Sequence, residues 1–258
     1  MLCCFLVANL VNAAPGIPAR QEISREEIVS EFSRAVPARW GESIRGVRTK
    51  FITDKKLIAL TFDACGSRGD GCDWRLIRFL QKERVPATLF ISGRWIDAHP
   101  SDFARLAKIK LFEIENHGAE HKPCSVNGKS VYGLSGTRSA GEVYDEVEGN
   151  ARKIQRLIGR KPLFYRSGTA YYDEVAVAIV RRLGYEVAGF SVLGDAGATY
   201  HPKQVVAALL SARPGSIVIL HMNHPERWTG EGVIAALPRL KKKGFGFVRL
   251  SECHFAKI

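Results

Sequence analysis

Residues 57–63 have the sequence Leu-Ile-Ala-Leu-Thr-Phe-Asp, a nearly unbroken apolar run that ends at a carboxylate. A short apolar run between polar segments is typical of a buried strand in a parallel sheet. Because side chains just past the carboxyl ends of parallel barrel strands converge on one mouth, polar residues after such runs predict a shared cleft. Four more short segments that contain apolar residues lead to a polar residue in the same way: 112–116 before His117, 163–165 before Arg166, 186–191 leading to Asp195, and 216–220 before His221.

Strand and helix patterns alternate from residue 57 onward, and this alternation predicts the architecture. It implies an α/β protein whose parallel sheet is built with right-handed crossovers. About seven such units in one domain favour a barrel short of the usual eight strands, with an open doubly wound sheet as the alternative. Predicted strands are 57–62, 87–91, 112–116, 163–166, 187–191, 216–221 and 247–250, and predicted helices are 74–83, 101–109, 141–158, 173–183, 202–211 and 232–243. Predicted helix caps are Asp73, Ser101, Ser139, Asp173, Gly184 and Gly244.

The N-terminus differs from the rest of the chain. Residues 2–11 are apolar apart from Asn9, and Val-Asn-Ala at 11–13 resembles a small-residue cleavage site. This pattern predicts a signal peptide over 1–13 and hence a secreted or periplasmic protein, with a buried N-terminal helix as the alternative. No run is long enough to cross a membrane after cleavage. Residues 14–56 would form a polar extension with one short helix, capped by Ser24 and Glu27 and carrying Ile28, Phe32 and Val36 as an apolar stripe.

The composition is that of a globular protein with a strong positive charge. The chain is 46% hydrophobic and 25% charged, with a formal net charge of +12. Such a charge favours an anionic partner. The basic residues are scattered and no nucleic-acid-binding motif is present, so an anionic cell-wall polymer is the better candidate than nucleic acid.

Six cysteines are present, and Cys3 and Cys4 would leave with the signal peptide. An even number of the remaining cysteines in an oxidising compartment indicates disulfides. Cys65 and Cys72 bracket a short glycine-rich loop, so we expect a disulfide between them. The alternative is that these cysteines, together with Cys124 and Cys253, are free and partly buried thiols.

Two histidines follow the strand at 112–116, in the sequence His-Gly-Ala-Glu-His at 117–121. Imidazoles four residues apart can reach one divalent cation when they share the face of a helical turn. The spacing alone is weak, because unrelated histidines often fall this far apart. The position directly after a strand strengthens the prediction of a metal site at His117 and His121.

The polar residues at the other strand ends suit a hydrolytic reaction. Asp63 could act as a general base, and His221 beside a carboxylate could act as a general acid. The guanidinium of Arg166 could hold a carboxylate in a fixed orientation, and Asp195 could orient a histidine and raise its pKa. Each residue also has an ordinary alternative role. Asp63 could cap a loop, Arg166 and Asp195 could form ion pairs at the barrel rim, and His221 could be a loop histidine whose hydrogen bonds are satisfied.

Taken together, these motifs resemble the polysaccharide deacetylase superfamily, carbohydrate esterase family 4, also called the NodB-homology domain. The resemblance covers residues 57–252 and rests on Thr-Phe-Asp at 61–63, the two histidines, Arg166, Asp195 and Leu220-His221. It implies a distorted (β/α)7 barrel over 57–258 that binds one divalent metal, Zn²⁺ or else Co²⁺ or Ni²⁺. It further implies that Asp63 is the base held by Arg166, that His221 is the acid tuned by Asp195, and that Leu220 lines a pocket for the acetyl methyl group.

One departure concerns the metal. The family's first motif usually has a second aspartate that completes an Asp-His-His site, and Ala64 stands at that position here. Asp73 is the first candidate to replace it and Asp70 the second. Cys65 is a softer, zinc-suited ligand that could not then be oxidised. Ser-Gly-Thr at 167–169, where the family often has prolines, and a fourth motif without its tryptophan indicate a divergent subgroup.

The resemblance implies hydrolysis of acetamido groups on an N-acetylated glycan, such as peptidoglycan or a chitin-like polymer, with release of acetate. An esterase acting on O-acetyl groups would use the same residues. The alternative from another class is a catalytically weak relative that binds glycan without turnover. Tyr171 and Trp228 are the further residues expected to contact the sugar.

Overall fold

The computed structural model of the chain describes residues 22–257. The signal peptide expected at 1–13, with Cys3 and Cys4, lies outside the described residues. The helices are α1 (Arg25–Phe32), α2 (Trp74–Lys82), α3 (Gly93–Ala98), α4 (Pro100–Ala107), α5 (Ala140–Ile158), α6 (Glu174–Arg182), α7 (Pro202–Leu210) and α8 (Thr229–Lys242), with a 3₁₀ turn at Leu250–Glu252. The strands are β1 (Trp40–Gly41), β2 (Val47–Arg48), β3 (Leu57–Ala64), β4 (Ala87–Ile91), β5 (Phe112–Asn116), β6 (Ser130–Val131), β7 (Leu134–Ser135), β8 (Phe164–Tyr165), β9 (Tyr172–Asp173), β10 (Glu186–Ala188), β11 (Val192–Leu193), β12 (Ile217–His221) and β13 (Gly246–Val248).

A curled parallel sheet forms the centre of the fold. Its strand order is β11-β12-β3-β4-β5-β8-β10-β2, and β13 pairs with the first half of β3. Every pairing in this sheet is parallel. The end strands β11 and β2 do not pair with each other, so the barrel is incomplete. The predicted α/β barrel of a distorted (β/α)7 type is therefore confirmed, and all seven predicted strands are present.

The differences from the predicted elements have local causes. The six-residue helix α3 was not predicted; it begins directly after β4, where the Ser92 hydroxyl accepts from the Trp95 amide. The expected cap at Ser101 is wrong, because α4 begins at Pro100, whose fixed φ suits the first helical position. The stripe expected to reach Val36 ends earlier, since α1 stops at Phe32 and Val36 is 84% exposed.

The N-terminal extension contributes more than the one outer helix that the sequence predicts. Helix α1 has the expected capping box and packs on α5. Strand β2 continues the main sheet beside β10. Strand β1 pairs with β9, so that Trp40 lies opposite Asp173. The extension therefore reaches the same rim of the barrel as the loops that follow the central strands.

Alternation of side chains along β3 separates the core from the site. Leu60, Phe62 and Ala64 are buried in the apolar layer between the sheet and the outer helices. Thr61 and Asp63 point the other way, toward the barrel axis, where both contact Arg166. This two-residue period is a property of any strand. Within residues 22–257, none of the helices is both long and apolar enough to cross a bilayer.

Candidate active site

Asp63 and Arg166 form a buried ion pair at the carboxyl ends of β3 and β8. The Arg166 guanidinium donates to the Asp63 Oδ1 atom at 2.7 Å, and the two residues are 0% and 2% exposed respectively. Arg166 also donates to the Thr61 hydroxyl at 2.8 Å and to the Gly189 carbonyl oxygen at 3.0 Å. These bonds use one oxygen of the carboxylate and fix its plane, which leaves Oδ2 free to act on a substrate.

His117 lies beside this carboxylate with a defined tautomer. Its Nδ1 atom lies 3.0 Å from the Arg166 carbonyl oxygen, which can only accept, so Nδ1 carries the proton. Its Nε2 atom lies 3.6 Å from Asp63 Oδ2. Burial lowers the pKa of His117, and the nearby Asp63 charge only partly opposes this. The imidazole is therefore neutral and presents a lone pair at Nε2, as a metal ligand must.

His121 completes the pair of histidines. Its ring stands edge-on to that of His117, with ring centroids 4.8 Å apart. The Nε2 atom of His121 is buried and has no hydrogen-bond partner among residues 22–257. Burial, and then the neighbouring His117, lower its pKa well below the ordinary value. Since an unpaired buried polar atom is costly, this nitrogen is suited to a ligand from outside the protein.

Helix α5 holds the loop between the two histidines. The Glu146 carboxylate accepts from the backbone amides of Glu120 and Lys122 at about 3.0 Å. On the other side, the Asn116 side chain accepts from the Gly118 amide at 2.9 Å. Glu146 is itself buried, and burial raises its pKa to about 7. Glu146 is not among the residues predicted from the sequence. Its signal there is a carboxylate that interrupts the apolar face of an amphipathic helix.

His221 and Asp195 form the second pair at the mouth. Asp195 Oδ1 lies 2.9 Å from His221 Nδ1, while Oδ2 accepts from the His221 amide at 2.7 Å and the Thr229 hydroxyl at 2.8 Å. Burial alone would lower the pKa of His221, but the charge and hydrogen bond of Asp195 outweigh it and raise that pKa well above 6.5. His221 is therefore a protonated acid near neutral pH. Thr229 was not predicted, since it lies 34 residues from Asp195.

The strand register brings the two pairs together. His221 on β12 is the direct neighbour of Asp63 on β3. A carboxylate, an imidazolium and two neutral imidazoles thus share one mouth, the arrangement expected of a metal-assisted hydrolase. Comparison with known proteins agrees with this chemistry, because residues 50–188, more than half of the chain, match the polysaccharide deacetylase family.

The chain belongs to the polysaccharide deacetylase family. Members of this family are hydrolases that remove acetyl groups from carbohydrates. The sequence is 24% identical to the peptidoglycan-N-acetylmuramic acid deacetylase PdaA of Bacillus subtilis. The alignment covers 98% of this chain and 96% of PdaA. A peptidoglycan-N-acetylglucosamine deacetylase of Bacillus cereus is 26% identical over 77% of this chain and 88% of its own length.

Solved structures support the fold. The structure of Bacillus subtilis PdaA superimposes with a TM-score of 0.66 at 22% identity, over 88% of this chain and 87% of its own. A family 4 pseudoenzyme from Bacillus anthracis superimposes with a TM-score of 0.63 at 22% identity, over 80% of this chain and 67% of its own. The same fold therefore occurs in a protein named as a deacetylase and in a protein described as a pseudoenzyme.

The structure does not bring the first candidate for the third metal ligand to the histidines. Asp73 is the N-cap of α2, and its Oδ1 atom accepts from the Leu76 amide at 2.9 Å. Asp70 is also engaged, because its Oδ2 atom accepts from the backbone amides of Gly66 and Ser67 at 2.8 Å. Among the described residues, the group able to hold a metal is Cys65, His117 and His121, whose donor atoms lie within 4.8 Å of one another.

The expected disulfide between Cys65 and Cys72 is wrong for this structure. Both cysteines are free and buried, as are the thiols of Cys124 and, in part, Cys253. Cys72 packs into the apolar layer behind the sheet, whereas Cys65 Sγ lies 4.0 Å from His117 Nε2. The two side chains therefore point to different environments, although the loop between them is short.

The residues expected to contact the sugar have different positions. Leu220 is fully buried in the apolar layer behind the sheet, on the opposite side of β12 from His221, so it does not line the mouth. Ile219, two residues before His221, shares the His221 side of the strand. Tyr171 is half-buried between Trp40 and Tyr132, with ring centroids 5.7 Å from each. Trp228 is 36% exposed and packs against His201, with the two rings tilted and their centroids 4.3 Å apart.

Proposed function

We propose that this protein is a metal-dependent deacetylase that hydrolyses N-acetyl groups of a cell-wall glycan and releases acetate. The observation that carries the proposal is the register pairing of Asp63 with His221, each held by its own buried partner. A base and an acid on adjacent strands can serve the two ends of one amide bond. A binding protein has no need for such a pair.

Asp63 is the proposed general base. Arg166 binds its Oδ1 atom, so Oδ2 faces the space next to His117 and can take a proton from an attacking water. The Thr61 hydroxyl accepts a further hydrogen bond from the Arg166 guanidinium and so limits its movement. Because both members of the ion pair are buried, the carboxylate reaches its working orientation before substrate binds, and no reorganisation is needed during the reaction.

His221 is the proposed general acid. Its Nδ1 atom is engaged by Asp195, so the proton on Nε2 is the one available to a departing amine. The amide nitrogen leaves poorly as an anion, so it must gain a proton as the C–N bond breaks and depart as the neutral amine. Asp195 keeps that proton on the ring near neutral pH and also fixes the ring through the backbone amide of His221.

His117 and His121 would hold the divalent metal, through the two Nε2 atoms described above. A divalent cation there supplies Lewis acidity, which polarises a carbonyl group and makes water more acidic. Neutral nitrogen donors suit Zn²⁺, Co²⁺ or Ni²⁺ better than Mg²⁺ or Ca²⁺. The proposed function therefore includes a bound divalent metal, and the two histidines favour Zn²⁺, Co²⁺ or Ni²⁺.

The proposed substrate is an acetylated polymer of the cell wall. The two curated relatives described above are named for peptidoglycan, and the net charge of +12 favours an anionic partner. Tyr171, Trp40 and Tyr132 form a contiguous aromatic surface, the kind of surface that packs against sugar rings. The apolar sequence at 2–11 supports an extracytoplasmic location, where such a polymer would be met.

An acetate-release assay tests the proposed function. We expect the Zn²⁺-loaded protein to release acetate from N-acetylglucosamine oligomers or peptidoglycan, and the Asp63→Asn variant to release it about 10²- to 10⁴-fold more slowly. Parallel assays on O-acetylated xylan separate amide from ester hydrolysis. No release by the parent protein on any of these substrates would contradict the proposal.

A second candidate function is glycan binding without turnover. Ala64 favours it, because the family's usual second aspartate is absent, and a pseudoenzyme shares the fold. Binding of the same oligomers by a parent protein that releases no acetate would support this candidate.

The pH dependence of turnover should report the His221–Asp195 pair. Because the raised pKa keeps His221 protonated, wild-type activity should persist above the ordinary histidine pKa of 6.5 and fall only at higher pH. Asp195→Asn removes the charge, so the basic limb of kcat/KM should move to lower pH by about 1 to 3 units. Thr229→Val keeps that charge and should move the limb much less. An unchanged basic limb in Asp195→Asn would refute the assignment of His221 as the acid.

A further inference from the structure

We infer that the thiolate of Cys65 is the third protein ligand of the metal, in place of the aspartate that the family usually supplies one residue earlier. This inference deepens the function proposed above and rests on its metal site at His117 and His121. It assigns a Cys-His-His centre to this chain, with sulfur in the position normally held by a carboxylate.

The course of β3 explains why residue 65, and not residue 64, faces the histidines. The strand extends to Ala64, whose side chain is 0% exposed and lies in the apolar layer with Leu60 and Phe62. Thr61 and Asp63 lie on the opposite face. Since strand side chains alternate, the next position on the Asp63 face is Cys65. An aspartate at 64 would have to leave the apolar layer to reach the metal.

Cys65 is held firmly on both sides. The Ser92 hydroxyl donates to the Cys65 carbonyl oxygen at 2.7 Å. Immediately afterwards the chain turns at Gly66, which has a φ of +85°, and a Cβ atom there would lie 2.6 Å from the Trp95 amide nitrogen. Asp70 binds the amide of Gly66 and receives a bond from the Asn223 side chain at 2.6 Å. A ligand fixed in this way loses little freedom when a metal binds.

Asp70 therefore has a different role from the one considered in the sequence. Its carboxylate closes the turn that presents Cys65, and it is 7% exposed. We treat it as a positioning residue.

The donor geometry fits a small divalent cation. The Sγ atom of Cys65 and the Nε2 atom of His117 are 4.0 Å apart, and all three donor atoms lie within 4.8 Å of one another. Metal–sulfur and metal–nitrogen bonds of about 2.3 and 2.0 Å at a tetrahedral angle would bring such atoms slightly closer, a movement that side-chain rotation can supply. Three protein donors leave the fourth position open, as catalytic zinc sites require.

A thiolate ligand changes which metal ions the site binds most tightly. A soft sulfur donor with two imidazoles favours Zn²⁺ and Co²⁺ over Mg²⁺ and Mn²⁺. Binding releases the thiol proton to solvent, so metal affinity should rise with pH. A sulfur that coordinates metal is also unavailable for the disulfide with Cys72, which agrees with the free thiols in the structure.

Cobalt spectroscopy tests the inference without relying on activity. The reduced metal-free protein is titrated with Co²⁺ while the absorption spectrum is recorded. A thiolate ligand produces a sulfur-to-cobalt charge-transfer band in the near ultraviolet, which oxygen and nitrogen donors do not. We expect this band in the parent and its loss in Cys65→Ser. The affinity of Cys65→Ser for Zn²⁺ should fall by about a hundredfold or more, since even loss of an outer-sphere partner costs 10- to 100-fold.

Cys72→Ala is the matched control, because Cys72 is another buried thiol at the far end of the same loop. It should keep both the band and the affinity. A parent that binds cobalt without the band, or a Cys65→Ser variant that keeps the band, would overturn the role of Cys65 and leave the proposed deacetylase function standing. A parent that binds neither Co²⁺ nor Zn²⁺ would overturn both the inference and the metal-dependent function.

Discussion

Asp63→Asn should lower turnover on an N-acetylglucosamine oligomer by about 10²- to 10⁴-fold, because an amide cannot take a proton from water. The amide oxygen can still accept from Arg166, so the barrel should remain folded. Stability should nevertheless fall, since the buried guanidinium loses the charge that it pairs with. Turnover is therefore compared well below the melting temperature of the variant, with circular dichroism and metal content measured on the same samples.

His221→Ala should cause a loss of similar size, because it removes the proton donor for the departing amine. The double variant with Asp63→Asn should not lose the product of the two factors, since both residues serve one reaction. Asp54→Asn and His254→Ala are matched controls at exposed positions away from the mouth, and both should keep full activity. Wild-type turnover in either site variant would show that the acid–base pair is assigned wrongly.

Replacing both His117 and His121 by alanine should abolish stoichiometric metal binding. The two Nε2 atoms supply two of the donors, and a single remaining thiol cannot hold a divalent cation against solvent. Parent protein refolded with Zn²⁺ should carry about one ion per chain by elemental analysis, and the double variant should carry only background. Turnover should fall at least as far as in Asp63→Asn, because the Lewis acid is lost with the metal.

His254→Ala again serves as the control, since it removes a surface imidazole and leaves the barrel untouched. It separates the proposed site from adventitious binding by exposed histidine. If the double variant binds as much metal as the parent, with the control unchanged, then the ion lies elsewhere and the two histidines are not its ligands.

Several features of the site could be predicted from local sequence. The apolar runs at 57–62, 112–116 and 216–221 became strands with nearly the expected limits, and their following residues meet at one mouth. For 57–62 and 216–221 the prediction succeeds because burial on both faces of a parallel strand favours consecutive apolar residues. The strand at 112–116 also buries Glu113, Glu115 and Asn116, whose side chains are hydrogen-bonded. The order of the motifs along the chain also indicates the family, and the family match agrees.

Other features depended on contacts between distant segments. The sequence offers both Asp73 and Cys65 as candidates for the third metal ligand. Which of them faces the histidines depends on how the turn at 66–72 folds. Asp73 caps a helix, while Cys65 continues the face of β3 that carries Asp63. Thr229 and Glu146 support the two halves of the site from helices far along the chain. No local pattern specifies such partners, because each is set by packing between elements.

The sequence by itself determined the strands, the parallel barrel and the residues at the strand ends, since these follow from apolar periodicity and the geometry of parallel sheets. The tertiary structure alone decided which thiol faces the histidines, that the 65–72 loop closes through Asp70 without a disulfide, and that Leu220 lies behind the sheet. The physical reason is that strand limits reflect local burial, whereas the direction of a side chain past a strand end depends on where the loop is anchored.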